Sequence, residues 1–228
     1  MNVINFIGGE KGGVGKSVVS RLLAQYYIDN DENFVGYDTD RSHHSFLRFY
    51  TDYASPTSID SYESLDKLIE SLESDIDNRI IVDLAAQTNL PLRSWLEDSG
   101  VVELAKELQI QLKFWHVMDD SKDSLLLLEE LVEKYRGLVS YVIVLNHGRG
   151  SDFKLFENSN IKQELNTLQA NTIHIKKLYE STMQKIDANN TSFWAACNNK
   201  NNSIGLLERQ RIKTWLHNTY KQFETLGI

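Results

Sequence analysis

Seven residues near the start of the chain, Lys11-Gly12-Gly13-Val14-Gly15-Lys16-Ser17, bring glycines, two lysines and a hydroxyl together. That set suits a chain of phosphates. Glycines let successive backbone N–H groups curl around an anionic oxygen, Lys16 can reach the β- and γ-phosphates, and the Ser17 hydroxyl can ligate Mg²⁺. Further along, Asp38-Thr39-Asp40 spaces two carboxylates by two residues. On an extended segment both fall on one side and converge on one Mg²⁺–water cluster. Ile80-Ile81-Val82-Asp83 is an apolar run that delivers a third carboxylate to the outer shell of a metal. A phosphate chain with Mg²⁺ is therefore the expected ligand, with Ser17, Asp38 and Asp83 at the metal.

The elements that must hold these residues are legible as alternating periodicities. Val3 to Ile7 is a short apolar run that stops at Gly8-Gly9, and Lys16 to Ile28 repeats Val18, Val19, Leu22, Leu23, Tyr26 and Tyr27 at helical spacing. The glycine-rich segment thus lies between a strand and a helix N-terminus, whose dipole favours an anion. Further strands are expected at Phe34 to Tyr37, Arg79 to Val82, Gln111 to Val117, Leu138 to Leu145 and Thr172 to Ile175. An amphipathic helix is expected from Ser58 to Ser74, and another, capped by Ser121, through Leu125 to Tyr135 with a stop at Gly137. A final helix spans about Ile204 to Phe223. The Asn-rich stretch from Ala188 to Ser203 reads as a surface loop around a Phe193-Trp194 anchor. Strands alternating with helices predict one α/β domain over residues 1–228, with a mainly parallel twisted sheet and helices on both faces.

The lysine at the start of the loop is diagnostic. Lys11 followed by Gly-Gly-Val-Gly-Lys-Ser resembles the deviant Walker A motif, K-G-G-x-G-K-[ST], of the ParA/MinD family of P-loop ATPases. Glu10 stands where the general P-loop pattern has glycine. The resemblance implies a nucleotide-sandwiched homodimer in which Lys11 reaches the partner's ATP. It implies that Gly12, Gly13, Val14, Gly15, Lys16, Ser17 and Val18 line the phosphates, and that Lys11, Lys16 and Asp40 act in catalysis. Asp38-Thr39-Asp40 resembles the family's switch I, where the second aspartate orients the attacking water and the first lies near the metal. Leu84-Ala85-Ala86-Gln87 stands where switch II begins, without the usual proline or glycine, and a backbone N–H of Ala85 or Ala86 is the candidate γ-phosphate sensor. Asn146, after the strand Tyr141 to Leu145, matches the asparagine that reads the adenine edge. Met118-Asp119-Asp120 ends another strand on the same sheet edge, and its acids read first as a solvated loop and second as a contact for a partner.

Composition removes several function classes. The 228 residues are 41% hydrophobic and 25% charged, with two prolines, as in an ordinary globular chain. No apolar run approaches the roughly 20 residues of a membrane span. The N-terminus has no basic region ahead of an apolar one, so a signal peptide is not expected and the cytoplasm is the expected location. A single cysteine, Cys197, excludes an iron–sulfur cluster held by several thiolates of one chain. It reads as an apolar filler. Charge is uneven: residues 1–100 carry 8 Lys/Arg against 17 Asp/Glu, residues 101–150 carry 6 against 8, and residues 151–228 carry 10 against 7. A mildly basic C-terminal third permits local contact with non-specific DNA. In the last helix Ile212, Trp215, Leu216, Tyr220 and Phe223 form an apolar face. Docking on the core fits that face best, then a DNA contact; a membrane anchor fits least, because Arg209, Arg211, Lys213 and Lys221 form no single stripe.

These readings predict a slow Mg²⁺-ATP-dependent switch that dimerises with ATP and couples its two states to a protein partner or DNA. The motifs look most like plasmid-encoded members that serve partition, mobilisation or conjugation. A small-molecule ligase or kinase on the same fold, and a nucleotide-binding module without turnover, are the alternatives.

Overall fold

The computed structural model describes residues 2–73, 78–200 and 203–228. Ser74, where the second expected helix was to end, and Asn201 and Asn202 of the Asn-rich stretch lie outside the described residues. In chain order the elements are β1 (Val3–Gly8), α1 (Lys16–Asp29), β2 (Phe34–Asp38), β3 (Ala54–Pro56), α2 (Tyr62–Glu73), β4 (Arg79–Asp83), α3 (Asn89–Asp98) and α4 (Val101–Glu107). Then follow β5 (Gln111–Met118), α5 (Lys122–Tyr135), β6 (Ser140–Asn146), α6 (Lys154–Glu157), α7 (Asn160–Thr167), β7 (Asn171–Ile175), α8 (Glu180–Ala188), α9 (Phe193–Asn198) and α10 (Leu206–Glu224). A 3₁₀ turn, Leu47–Phe49, follows β2.

All described strand pairs are parallel, in the order β3-β2-β4-β1-β5-β6-β7. The order reverses around β1, and the crevice beyond the carboxyl ends of the strands there is where open α/β sheets bind ligands. Period-2 alternation divides the interior. Ile4, Phe6, Ile80, Val82, Phe114 and Ile143 face α2 to α7, while Ile7, Ile81, Trp115, Val142 and Val144 face α1 and α8 to α10. Both faces of the sheet are therefore covered, as its near-continuous apolar strands require.

The last helix docks on the core. Ile212, Trp215, Leu216 and Phe223 are buried, the Phe223 ring meets Trp115 edge-on at 5.6 Å, and Trp215 Nε1 donates to the Lys176 carbonyl at 2.6 Å. Burying each such side chain is worth about 1.5–3 kcal/mol. The Asn-rich stretch is not a plain loop. Ser192 accepts the Ala195 amide as an N-cap and α9 follows, with Phe193, Ala196 and Cys197 inside and Trp194 56% exposed. Only the phenylalanine anchors. Burial raises the Cys197 thiol pKa to about 11, consistent with an apolar filler.

Candidate nucleotide-binding site

The loop from Gly9 to Gly15 crosses from β1 to α1 at the switch point of the sheet. Gly13 and Gly15 take φ of 78° and 101°, a left-handed backbone open to glycine at little cost. A Cβ on Gly12 or Gly13 would meet nothing within 4 Å, so the cradle is open where a phosphate would sit. Lys16 is almost buried, its Nζ donating to the carbonyls of Gly9 at 2.8 Å and Lys11 at 3.1 Å. Burial lowers its pKa, and the acids Asp83, Glu10 and Asp40 oppose that shift.

A cleft of about 470 Å³ joins this loop to Asp40, Asp83, Leu84, Ala85 and Ala86. Asp83 accepts from Ser20 Oγ at 2.9 Å, and its pKa is pushed up to about 7 by burial and then by the neighbouring Asp38, against the pull of Ser17, Ser20 and Lys16. Ser17 and Asp83 line the same cleft, a hydroxyl and a carboxylate, and such oxygen donors fit Mg²⁺, which keeps the rest of its shell for waters and phosphates.

The structure does not bring Asp38 and Asp40 to the cleft side by side, as even spacing predicts. Asp38 is 1% exposed; one of its oxygens accepts the Asp40 amide, the other those of Phe46 and Leu47. Asp40 lies at the cleft, with one oxygen accepting from the Ser42 and His43 amides. These amides and His43 hold its pKa below the usual range against desolvation, which pulls the other way. The alternation fails because β2 ends at Asp38. Beyond it the Thr39 amide and hydroxyl both donate to the Asp83 carbonyl, at 3.1 and 3.0 Å, and the hydroxyl accepts the Ala85 amide at 2.8 Å. Thr39 thus ties the segment after β2 to the segment after β4 and occupies one of the two amides expected to sense the γ-phosphate. It went unread because nothing in a lone threonine announces a partner 46 residues away.

Lys11 does not project outward. Its Nζ donates to Asp119 Oδ2 at 2.7 Å and Ser121 Oγ at 2.8 Å. The other Asp119 oxygen accepts from the Ser121 amide and from the hydroxyls of Ser121 and Ser124, and the carboxyl pKa falls well below the usual range although partial burial opposes this. Asp119 is therefore a structured partner of the loop and not the solvated acid expected. Asp120 is committed too, accepting from the Ser151 and Asp152 amides. Glu10 accepts the Asn89 amide at the start of α3, linking the loop to the segment that follows β4. Gln87, in that segment, has φ 63°.

Asn146 lies against the loop from the other side. Its Nδ2 donates to the Val14 carbonyl at 2.7 Å and its Oδ1 accepts the Gly148 amide at 2.9 Å. A second cleft of about 360 Å³ runs from Gly15, Val18 and Asn146 toward Leu178, Met183 and Trp215. A slot beside the phosphate cradle that mixes apolar side chains with Asn146, Gln184 and Asp187 suits a planar base with polar edges.

No family model matches the sequence. Protein MobD of Acidithiobacillus ferrooxidans is 26% identical over 164 residues, 70% of each chain. Among solved structures, the MinD cell division protein of Aquifex aeolicus superposes with a TM-score of 0.56 at 11% identity, covering 95% of this chain and 97% of that one. The fold is that of the ParA/MinD P-loop ATPases. The septum site-determining protein MinD of Pyrococcus horikoshii, solved with Mg-ADP, gives 0.54 at 13% identity over 92% of this chain and 93% of that one. A candidate plasmid partition protein of Borrelia burgdorferi bound to AMPPNP gives 0.50 at 14% identity over 96% and 99%. On this ParA/MinD-like fold no described helix is long and apolar enough to cross a membrane.

Proposed function

We propose that this chain is a Mg²⁺-ATP-dependent switch, a slow ATPase that dimerises with ATP and passes its state to a protein or DNA partner. The observation that carries the reading is the open glycine cradle with Lys16 inside it, facing Asp40 and Asp83 across one cleft. Ser17 and Asp83 would hold Mg²⁺, which when bound neutralises charge on the phosphates. The backbone of Gly12 to Val18 would hold the phosphates, Lys16 would bind their β and γ oxygens, and Asp40 would orient a water. Lys11, released from Asp119, would act on the nucleotide of a second copy. Service to plasmid partition or mobilisation is the finer proposal; the Borrelia neighbour is described as a plasmid partition protein and supports it as an analogue.

Solution mass of the wild-type chain with ADP and with a non-hydrolysable ATP analogue tests the reading. A rise toward twice 26.2 kDa only with the ATP analogue is expected. A mass unchanged by nucleotide, with phosphate release at background, removes the switch and leaves a passive binding module. That second reading draws on the Ala85 amide, already bonded to Thr39.

A further inference from the structure

The cleft beside the glycine loop continues along α1, past Ser17, to three arginines. Arg21, one turn on from Ser17, is 3% exposed, and its guanidinium lies 3.6 Å from the Phe49 ring centroid and 4.7 Å from that of Phe193. Nη1 binds Asp187 at 2.9 Å, but Nε and Nη2 are buried without an acceptor. Arg48 stacks on the same Phe49 ring at 4.8 Å, so two like charges flank one aromatic ring. Arg149 reaches the cleft from the loop after β6. Both Arg48 and Arg149 are exposed, and among the described residues neither forms an ion pair. Arg21, Arg48 and Arg149 therefore share the cleft with Lys16, Asp40, Asp83 and Asp187, and of the three arginines only Arg21 is paired with a carboxylate.

Two exposed guanidiniums without an ion-pair partner among the described residues, next to a phosphate cradle, have an evident use. We propose that Arg48 and Arg149 close on the nucleotide's phosphate chain from opposite lips of the cleft, within one chain, and that Arg21 positions Arg48 through Phe49. Arginine suits the task because its planar fork gives paired hydrogen bonds to phosphate oxygens and its faces stack on aromatics. Phe49 fixes one end of that geometry. Asp187 lies at the junction of this cleft and the base-sized slot, so the Arg21 anchor joins α1 to α8 where the two halves of a nucleotide would meet. The clamp rests on the ATP reading but differs from the Lys11 mechanism in acting without a partner.

Calorimetry at concentrations where the chain is monomeric tests it, with wild type, Arg48→Ala, Arg149→Ala, the double variant and Arg48→Lys. Each alanine is expected to weaken Mg-ATP binding about 10-fold, the double variant about 100-fold with a flatter salt dependence, and Arg48→Lys to recover only part. Lys213→Ala, which removes the same charge on α10 outside the cleft, is expected to bind as wild type. Unchanged melting temperatures for the exposed pair separate binding from folding. Wild-type affinity and salt slope in the double variant overturn the clamp. If the wild type binds no nucleotide, the ATP reading falls, and tripolyphosphate decides the clamp: affinity lost in the double variant supports it, and no binding by wild type overturns it.

Discussion

Lys11 Nζ lies 2.7 Å from Asp119 Oδ2 of the same chain, on the α5 side of the loop. On the proposed trans mechanism Lys11 has to leave Asp119 before it acts on a second copy, so the ion pair is expected to oppose dimerisation. Asp119→Asn keeps a hydrogen-bond acceptor for Ser121 and Ser124 but removes the charge. Partly exposed pairs of this kind are worth ~1 kcal/mol or less. Two such pairs break per dimer, so the variant should dimerise with ATP analogue at up to about 30-fold lower protein concentration, read by sedimentation. Dimerisation unchanged or weakened shows that Asp119 does not restrain Lys11.

Lys16→Ala should lower Mg-ATP affinity at least ~100-fold, because it removes the charge-assisted bonds to the phosphates. The same change frees the Gly9 and Lys11 carbonyls, so a modest loss of thermal stability should accompany it. Calorimetry checks the first outcome and scanning fluorimetry the second. Wild-type affinity would dismiss the phosphate loop.

Gly15→Ala should be more damaging than its size suggests. A Cβ there would approach Asn146 Nδ2 to 2.3 Å, and φ of 101° is unfavourable to any other residue by ~1–2 kcal/mol. Pairing Gly15→Ala with Asn146→Ala relieves the clash but not the strain. Gly15→Ala should therefore cost less nucleotide affinity in the Asn146→Ala background than in the wild-type chain, and an equal cost in both backgrounds would show that contact with Asn146 is not the cause.

Much of this site lies within short stretches of chain, which is why it was legible. The loop, Asp40 and Asp83 each follow an apolar strand, and the parallel sheet aligns those strand ends without further information. Six strands were visible as apolar runs; β3 was not, because its three residues include only one that is buried, Ala54. α9 was masked by asparagines that cap and flank a helix of six residues. What remained hidden were pairings between distant segments: Lys11 with Asp119, Thr39 with Asp83 and Ala85, Arg21 with Asp187. Each joins residue types common on any surface, through side chains or, for Thr39, through the backbone of Asp83 and Ala85, so only the fold reveals them.

Lys113 offers a pH test away from the site. It sits on β5 at 5% exposure, and burial lowers its pKa from the usual 10.5 to about 8. Between about pH 8 and 10.5 the unfolded chain holds a proton that the folded chain has released, so stability gains a term that rises with pH across that window. Below it the buried charge persists and opposes folding. Lys113→Met should flatten this rise and stabilise the chain at pH 7 by about 1–3 kcal/mol. Parallel pH curves for the two proteins would show that Lys113 reaches water.

The trans role of Lys11 is tested most directly by mixing two inactive chains. Lys11→Ala should bind ATP, since Lys16 and the glycine backbone are untouched, yet neither dimerise nor turn over. Asp40→Ala should dimerise and retain ATP, since placing a water matters chiefly in the transition state. In a mixed dimer the Asp40→Ala chain lends its Lys11 to the one site that keeps Asp40. That site has every group the reaction asks for, and a cation supplied across an interface is worth about 10³–10⁵ in rate where it has been studied. The mixture should recover phosphate release up to half of the wild-type rate per dimer, peaking at equal amounts. Activity that merely averages the two parents would place Lys11 in its own chain's site and return the small-molecule enzyme as the better reading.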